Sequence, residues 1–376
     1  MNENYAALAE KLLLELCVIP APSGYEEKRA EHILKTLTEW GISAYIDELK
    51  NVICVYEGES ADEITVFCAH TDIVFPDMEP LTMTMEGSKL MCPGCGDDTA
   101  PVAILMSVLK KLHSEKASAK NTILFVFNSC EEGLGNLRGT RAIMDKYGQK
   151  IRRFVTFDDN IDAMVNKSVG SHRYQVTVKT KGGHSFTNFG NTNSAAVLSE
   201  IITEIYTIKV PEKGNHTTYN VGLISGGTSV NTIVQEAYML CEYRSDDYQD
   251  LKYMEEEFKK VFHKIQRKYS SDNEAVKAEI IVDLVGDRPC MHEVDQLEMD
   301  KLTEIVTSIQ KKYGRCEVSV NSGSTDCNIP HSMGIPAVCA GCYIGGGAHT
   351  REEWVDLSSI PTGVEIVEDI VRTLCF

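Results

Sequence analysis

His70-Thr71-Asp72 closes one apolar run of this chain and Glu131-Glu132-Gly133 closes another, with Gly96-Asp97-Asp98 between them. Asp158 follows the run Arg153-Phe154-Val155-Thr156-Phe157, and a late His349 is embedded in Gly345-Gly346-Gly347-Ala348-His349-Thr350. Three carboxylates, two imidazoles and one spare Glu are the donor set that a pair of zinc ions and a general base require. The chemistry implied is metal-assisted hydrolysis.

Each string also has an ordinary structural reading, and it is their company that favours the chemical one. His70 and Asp72, two apart in a strand, point to one face and look into a cleft past the strand's carboxyl end. Histidine supplies the metal bond, and Asp at that spacing orients the imidazole. Asp97 and Asp98 suit the start of a helix expected from Thr99, as cap and first-turn acid. Read functionally, Asp97 bridges two ions and shields their repulsion at a separation of roughly 3.5–4 Å. Glu131 and Glu132 stand where a strand gives way to a glycine-punctuated loop. One of them can ligate metal while its neighbour takes a proton from water. Asp158 also ends a strand, where open α/β sheets place their ligands, and the glycines around His349 permit close backbone approach. Cys92-x-x-Cys95 has no second Cys or His pair at zinc spacing, which argues against a structural zinc or redox role.

The elements that must position these residues alternate. Leu8, Leu12, Leu13 and Leu16 recur at helical spacing; Ile64 to Ala69 and Thr122 to Phe127 read as strands buried on both faces; Val102, Leu105, Met106 and Leu109 form a helical stripe between them. This is an α/β layer pattern. From about Ser171 the order becomes strand Arg173–Thr180, helix Thr192–Ile208, strands Thr217–Ser225 and Glu236–Arg244, helix Asp250–Tyr269 and strand Ala278–Val285. That β-α-β-β-α-β order is ferredoxin-like. The expected organisation is a catalytic domain over 1–170 and 288–376, interrupted by an inserted domain over 171–287. After Asp287 the chain returns to a helix, Leu297 to Lys312, and Gly-rich loops.

Composition narrows the partners. The chain has 376 residues, 43% hydrophobic, and its 37 basic against 55 acidic residues give a formal charge of -18, which repels nucleic acid and anionic lipid alike. An odd count of 13 cysteines, spread through apolar runs, reads as reduced core thiols. The amino terminus carries Glu3, Glu10 and Glu15 around its leucines and lacks the basic start of a signal peptide. No run reaches the roughly 18 apolar residues of a membrane span. A cytoplasmic protein is expected.

The same strings occur in order with Ile19-Pro20-Ala21-Pro22-Ser23-Gly24-Tyr25-Glu26-Glu27, Lys181-Gly182-Gly183-His184-Ser185, Gly226-Gly227-Thr228-Ser229-Val230-Asn231 and Glu242-Tyr243-Arg244. Together they resemble, over almost the whole chain, the two-zinc exopeptidase and deacylase superfamily. That superfamily contains peptidase T, the bacterial dipeptidases, glutamate carboxypeptidase, aminoacylase and the desuccinylases. The resemblance implies an α/β fold: a mixed-sheet, phosphorylase/hydrolase-like zinc exopeptidase domain with an inserted ferredoxin-like α+β domain. It implies His70, Asp97 and Asp158 on one zinc, and Asp97, Glu132 and His349 on the other. Glu131 becomes the general base and Asp72 the partner of His70. His184 and Asn231 of the inserted domain would reach the tetrahedral oxyanion, and Arg244 a substrate carboxylate. The short insert implies a homodimer, in which His184 crosses the interface. Asp at position 158 is closer to the peptidase T and dipeptidase branches, whereas Thr99 departs from the Lys that many relatives carry there.

The resulting expectation is a two-zinc exopeptidase on di- or tripeptides, with Co2+ or Mn2+ as possible substitutes. The alternative is a deacylase, amidohydrolase or carboxypeptidase acting on N-acyl amino acids with the same centre. A metal-dead scaffold relative should have lost ligands, and this chain has lost none.

Overall fold

In the strand Gly58–His70 every residue from Ile64 onward is buried, as its almost wholly apolar run leads one to expect of a strand covered on both faces. The computed structural model describes residues 4–211 and 216–376, and Glu3 lies outside them. The chain divides into two units, 169–291 and the remainder. These ends lie a few residues outside the expected 171–287, because the first strand of the insert begins at Gly170 and the last runs to Arg288.

The first unit is built on an eight-stranded sheet. At its centre Ala119–Asn128, Gly58–His70 and Ile151–Phe157 lie side by side and parallel. Their carboxyl ends therefore share one edge, and those ends carry the strings leading to Glu131 and Glu132, His70 and Asp158. Ala337–Ala340 runs parallel beside Ile151–Phe157, then antiparallel to Ala163–Ser168, so the sheet is mixed. One face packs Ile53, Val66, Leu124, Val126, Ile143 and Phe154 in a buried cluster. Phe67, alternating to the other face, lies 6.0 Å from Phe125 and 6.2 Å from Phe157 between ring centres. The helices Tyr5–Cys17, Ala100–Glu115 and Ile360–Cys375 pack on one another. Ala100–Glu115 is buried nearly all round, which is why its sequence shows more than one apolar stripe.

Two parts of this unit differ from the expectation. The segment after Glu132 is a short turn and then a helix, Arg138–Tyr147. The carboxyl-terminal stretch expected as Gly-rich loops contributes strands to the main sheet, the helix Ile360–Cys375, and part of a small sheet in the order Gly345–Gly346, Trp354–Asp356, Lys89–Met91, Thr84–Glu86. Two- and three-residue strands are too short to show alternation.

The second unit is a four-stranded antiparallel sheet in the order Thr217–Gly226, Glu236–Ser245, Gly170–Thr180, Ala278–Arg288. Strict alternation in Glu236–Ser245 buries Ala237, Met239, Cys241 and Tyr243 on one face. The helices Ser194–Ile205 and Tyr248–Lys268 cover that face through Val197, Ile201, Met254 and Phe258. A separate two-residue pair joins Gly183–His184 to Thr232–Ile233.

All thirteen cysteines are free, and Cys92 and Cys95 are buried thiols facing backbone carbonyls of Cys17 and Leu90. Among the described residues no helix is long and apolar enough to cross a membrane.

Candidate metal centre

The parallel strands bring the residues of the first unit together. Ligand atoms of His70, Asp97 and Asp158 lie within 4.8 Å of one another, as do those of Asp97, Glu132 and His349. Asp97 belongs to both groups. A third group joins His70 to Glu131 and Glu132.

His70 is 1% exposed at the end of its strand. Its Nδ1 lies 3.1 Å from the carbonyl oxygen of Asp72, which only accepts, so Nδ1 carries a hydrogen. The Nε2 of the neutral ring is then a lone pair, and it faces Asp97 Oδ1 at 3.0 Å. Both are buried atoms without a directed hydrogen bond. With the ring neutral these are two acceptors face to face, an arrangement that a cation between them would satisfy. His349, more exposed, also faces the cluster, with Nε2 3.1 Å from Asp97 Oδ2 and 3.2 Å from Glu132 Oε1. The carboxylates also crowd one another. Burial and the charge of Asp97 push the Asp158 carboxyl well above its ordinary range, and burial followed by Asp158 does the same to Asp98. Burial would pull His70 down, but Asp98, Asp72 and Asp97 hold it well above an ordinary imidazole, so that without metal Nε2 also carries a proton, which a bound cation would displace. An imidazole and carboxylate donor set with this surplus of buried negative charge fits divalent ions such as zinc.

Asp72 holds more than a ring. Its Oδ1 accepts the Glu131 N–H at 2.9 Å, and its Oδ2 accepts the Glu132 N–H at 2.9 Å and the Ser23 hydroxyl at 2.6 Å. The expected contact with His70 Nδ1 is longer, 3.5 Å to Oδ1. Asp98 does not cap the following helix; its Oδ2 accepts the His70 N–H at 2.8 Å, and the helix begins at Ala100. Thr99 binds the Gly94 carbonyl and accepts from Arg29 Nη1 at 3.2 Å. Arg29 is fully buried and also donates to the Thr71 carbonyl at 2.8 Å, so a cation reaches this turn from the helix Glu27–Glu39. Burial pulls that guanidinium down to about 10.

His184, Asn231 and Arg244 lie in the second unit. His184 Nδ1 accepts the Phe186 N–H at 3.2 Å, which leaves Nε2 as the N–H of the neutral ring. Asn231 is beside it in the fold, its carbonyl accepting the Ser185 N–H at 2.9 Å. Its side-chain oxygen accepts from the Ser229 hydroxyl at 2.9 Å. Arg244 is engaged by Glu242, two positions earlier on the same strand face, through contacts of 2.8 and 3.0 Å.

The reading of the sequence missed Glu353. This side chain is 2% exposed and accepts backbone N–H groups of Gly94, Gly96 and Asp97. Two adjacent acids, Glu352 and Glu353, give no sign of which one turns inward. A cavity of about 260 Å3 opens beside the cluster, lined by Asp97, Asp158, Asp159, Tyr343 and His349 among others.

The pattern of Peptidase family M20/M25/M40 matches residues 66–373. Among curated sequences, a putative [LysW]-lysine/[LysW]-ornithine hydrolase of Pyrococcus abyssi is 33% identical over 133 residues, 35% of this chain and 35% of that protein. The match spans about a third of the length of the curated relatives. Among solved structures, a tripeptidase from Staphylococcus aureus is similar with a TM-score of 0.76 and 20% identity over 98% of both chains. The aminopeptidase PepT of Bacillus cereus gives 0.74 and 18%, over 97% of this chain and 98% of the other. At these identities the likeness is one of fold.

Proposed function

Because the chain belongs to Peptidase family M20/M25/M40 and is a metallohydrolase, we propose that it is an exopeptidase removing residues from di- or tripeptides at a two-zinc centre. The observation that carries this reading is the sharing of Asp97 between two groups of ligand atoms, with Glu131 beside them. His70, Asp97 and Asp158 would hold one ion, and Asp97, Glu132 and His349 the other, with Co2+ or Mn2+ able to replace zinc. Bound there, such ions supply Lewis acidity that polarises a carbonyl and acidifies a water molecule.

Glu131 takes the proton of the attacking water on a carboxylate oxygen. The water oxygen bonds to the peptide carbon, the C–N bond breaks, and Glu131 returns the proton to the departing amine. Asp72 fixes the Glu131 peptide for this task. The Nε2–H of His184 and the amide of Asn231 are donors suited to the tetrahedral oxyanion. Arg244 would exchange its partner Glu242 for a substrate carboxylate. Asp159 in the cavity wall favours an ammonium group, and so an unblocked peptide amine.

We further propose a cytoplasmic homodimer formed through the second unit, with His184 acting across the interface. Among the described residues the strand Thr217–Gly226 pairs on one side only, and its exposed Leu223 and Ile224 would be covered by a second copy.

A deacylase acting on N-acyl amino acids is the second reading, favoured by the 29% identity over 152 residues to an acetylornithine deacetylase of Arabidopsis thaliana. Mass spectrometry of a defined mixture of di- and tripeptides and N-acyl amino acids, incubated with enzyme and zinc, separates the two. The peptides should disappear first; earlier loss of the acyl amino acids would overturn the peptidase reading.

A further inference from the structure

Glu353 shares a short segment with His349, yet its side chain is spent on the loop that carries Asp97. Oε2 accepts the Gly94 N–H at 2.7 Å, while Oε1 accepts those of Gly96 at 2.8 Å and Asp97 at 2.7 Å. The Glu353 carbonyl in turn accepts the Cys92 N–H at 3.2 Å, and Trp354–Asp356 pairs with Lys89–Met91. The two segments are thus joined twice, by a strand ladder and then, where the loop turns at Gly94 with φ +73, by a carboxylate. Backbone N–H groups converging on one point form an anion receptor, and Glu353 fills it from within the chain. Gly96 leaves the room: a Cβ there would stand 3.0 Å from Glu353 Oε1 and 2.8 Å from the Tyr343 ring.

This contact bears on both groups of ligand atoms. The Asp97 N–H is held by Glu353, and the two carboxylate oxygens of Asp97 face His70 at 3.0 Å and His349 at 3.1 Å. A short side chain has few torsions with which to absorb a displaced backbone. A shift of its peptide by about 1 Å would take one oxygen out of reach of its imidazole.

We propose that Glu353 is a positioning residue of the metal centre, which fixes the shared carboxylate of Asp97 against the segment that delivers His349. The inference rests on the two-ion reading above. Removing such a supporting partner costs roughly 10–100-fold in metal affinity.

The test is zinc affinity of the full chain, measured by competition with a chromophoric chelator, together with melting of the metal-free protein. Glu353→Gln keeps the shape but sets an NH2 group against backbone N–H donors. The wild type should take two zinc ions. The variant should hold the weaker ion about 10–100-fold less tightly, regain it at higher zinc, and melt within a few degrees of the wild type when metal-free. Unchanged affinity at both sites, with the wild type still taking two ions, overturns the role of Glu353. A wild type that takes only one ion instead overturns the two-ion reading beneath it. Should Glu353→Gln fail to fold, Gly96→Ala crowds the same carboxylate without removing its charge. It must show the same loss, and unchanged affinity there overturns the inference.

Discussion

Asp72 Oδ1 accepts the backbone N–H of Glu131 at 2.9 Å, a closer contact than the 3.5 Å that separates the same oxygen from His70 Nδ1. The carboxylate that spacing assigns to the imidazole therefore governs the peptide of the proposed base, two strands being tied at their carboxyl ends through one side chain. Asp72→Asn sets an amide N–H against the N–H of Glu131 or Glu132. Turnover is expected to fall about 10–100-fold, with zinc content close to that of the wild type. Loss of zinc with unchanged turnover per bound ion would return Asp72 to a role in holding His70 alone.

The adjacent acids should separate by their mutants. Glu131→Gln is expected to keep its metal while losing roughly two to four orders of magnitude in turnover, the range for a lost general base. Glu132→Gln, whose Oε1 lies 3.2 Å from His349 Nε2, should weaken metal binding instead. Elemental analysis beside steady-state rates decides, and the reverse pattern would exchange the two roles.

How far the sequence reaches follows from these residues. Ile64 to Ala69 and Thr122 to Phe127 are short, almost wholly apolar and rich in β-formers, as strands buried on both faces are. Residues just past such strands share one edge, so His70, the two glutamates and Asp158 were legible as a group. Asp97 and His349 arrive on irregular segments, where periodicity carries no signal, and their residue types, their local context and the family resemblance pointed to them. The turned-back Asp98 and the buried Glu353 were illegible, since each is defined by a hydrogen bond to a distant backbone N–H. A backbone donor has no residue type to read. The pairing of Arg244 with Glu242 was open to inference, two positions apart on one strand face, but competes with the substrate reading of that arginine.

For His184 the expectation concerns the transition state. A hydrogen bond made only to the oxyanion lowers the barrier without tightening substrate, so His184→Ala should cost about 10²–10³ in turnover with metal content unchanged. Mixing inactive Glu131→Gln chains with inactive His184→Ala chains should restore one intact site per heterodimer. Mixtures shown to exchange subunits yet still inactive would confine the histidine to its own chain.

His331 provides a pH-dependent contribution to stability away from the centre. Its ring is buried between the Ser168 hydroxyl at 2.7 Å and the Ala337 carbonyl at 2.8 Å, and burial pulls its pKa from 6.5 to about 4. The unfolded chain therefore takes up this proton first as pH falls. The neutral ring contributes full stability above pH 6.5, and up to about 3 kcal/mol of it is lost on descending toward pH 4. Melting temperatures of the wild type should drop more steeply over that window than those of His331→Gln. Parallel slopes would show that this histidine does not drive the change.

The central claim is that Asp97 joins two metal sites in one chain. Equilibrium dialysis of chelator-free protein against excess zinc, followed by elemental analysis, tests it most directly. Two ions per chain are expected, and Asp97→Ala should weaken both together. A single tightly held ion in the wild type at saturating zinc, or an Asp97→Ala chain that keeps one site at full affinity, would contradict it.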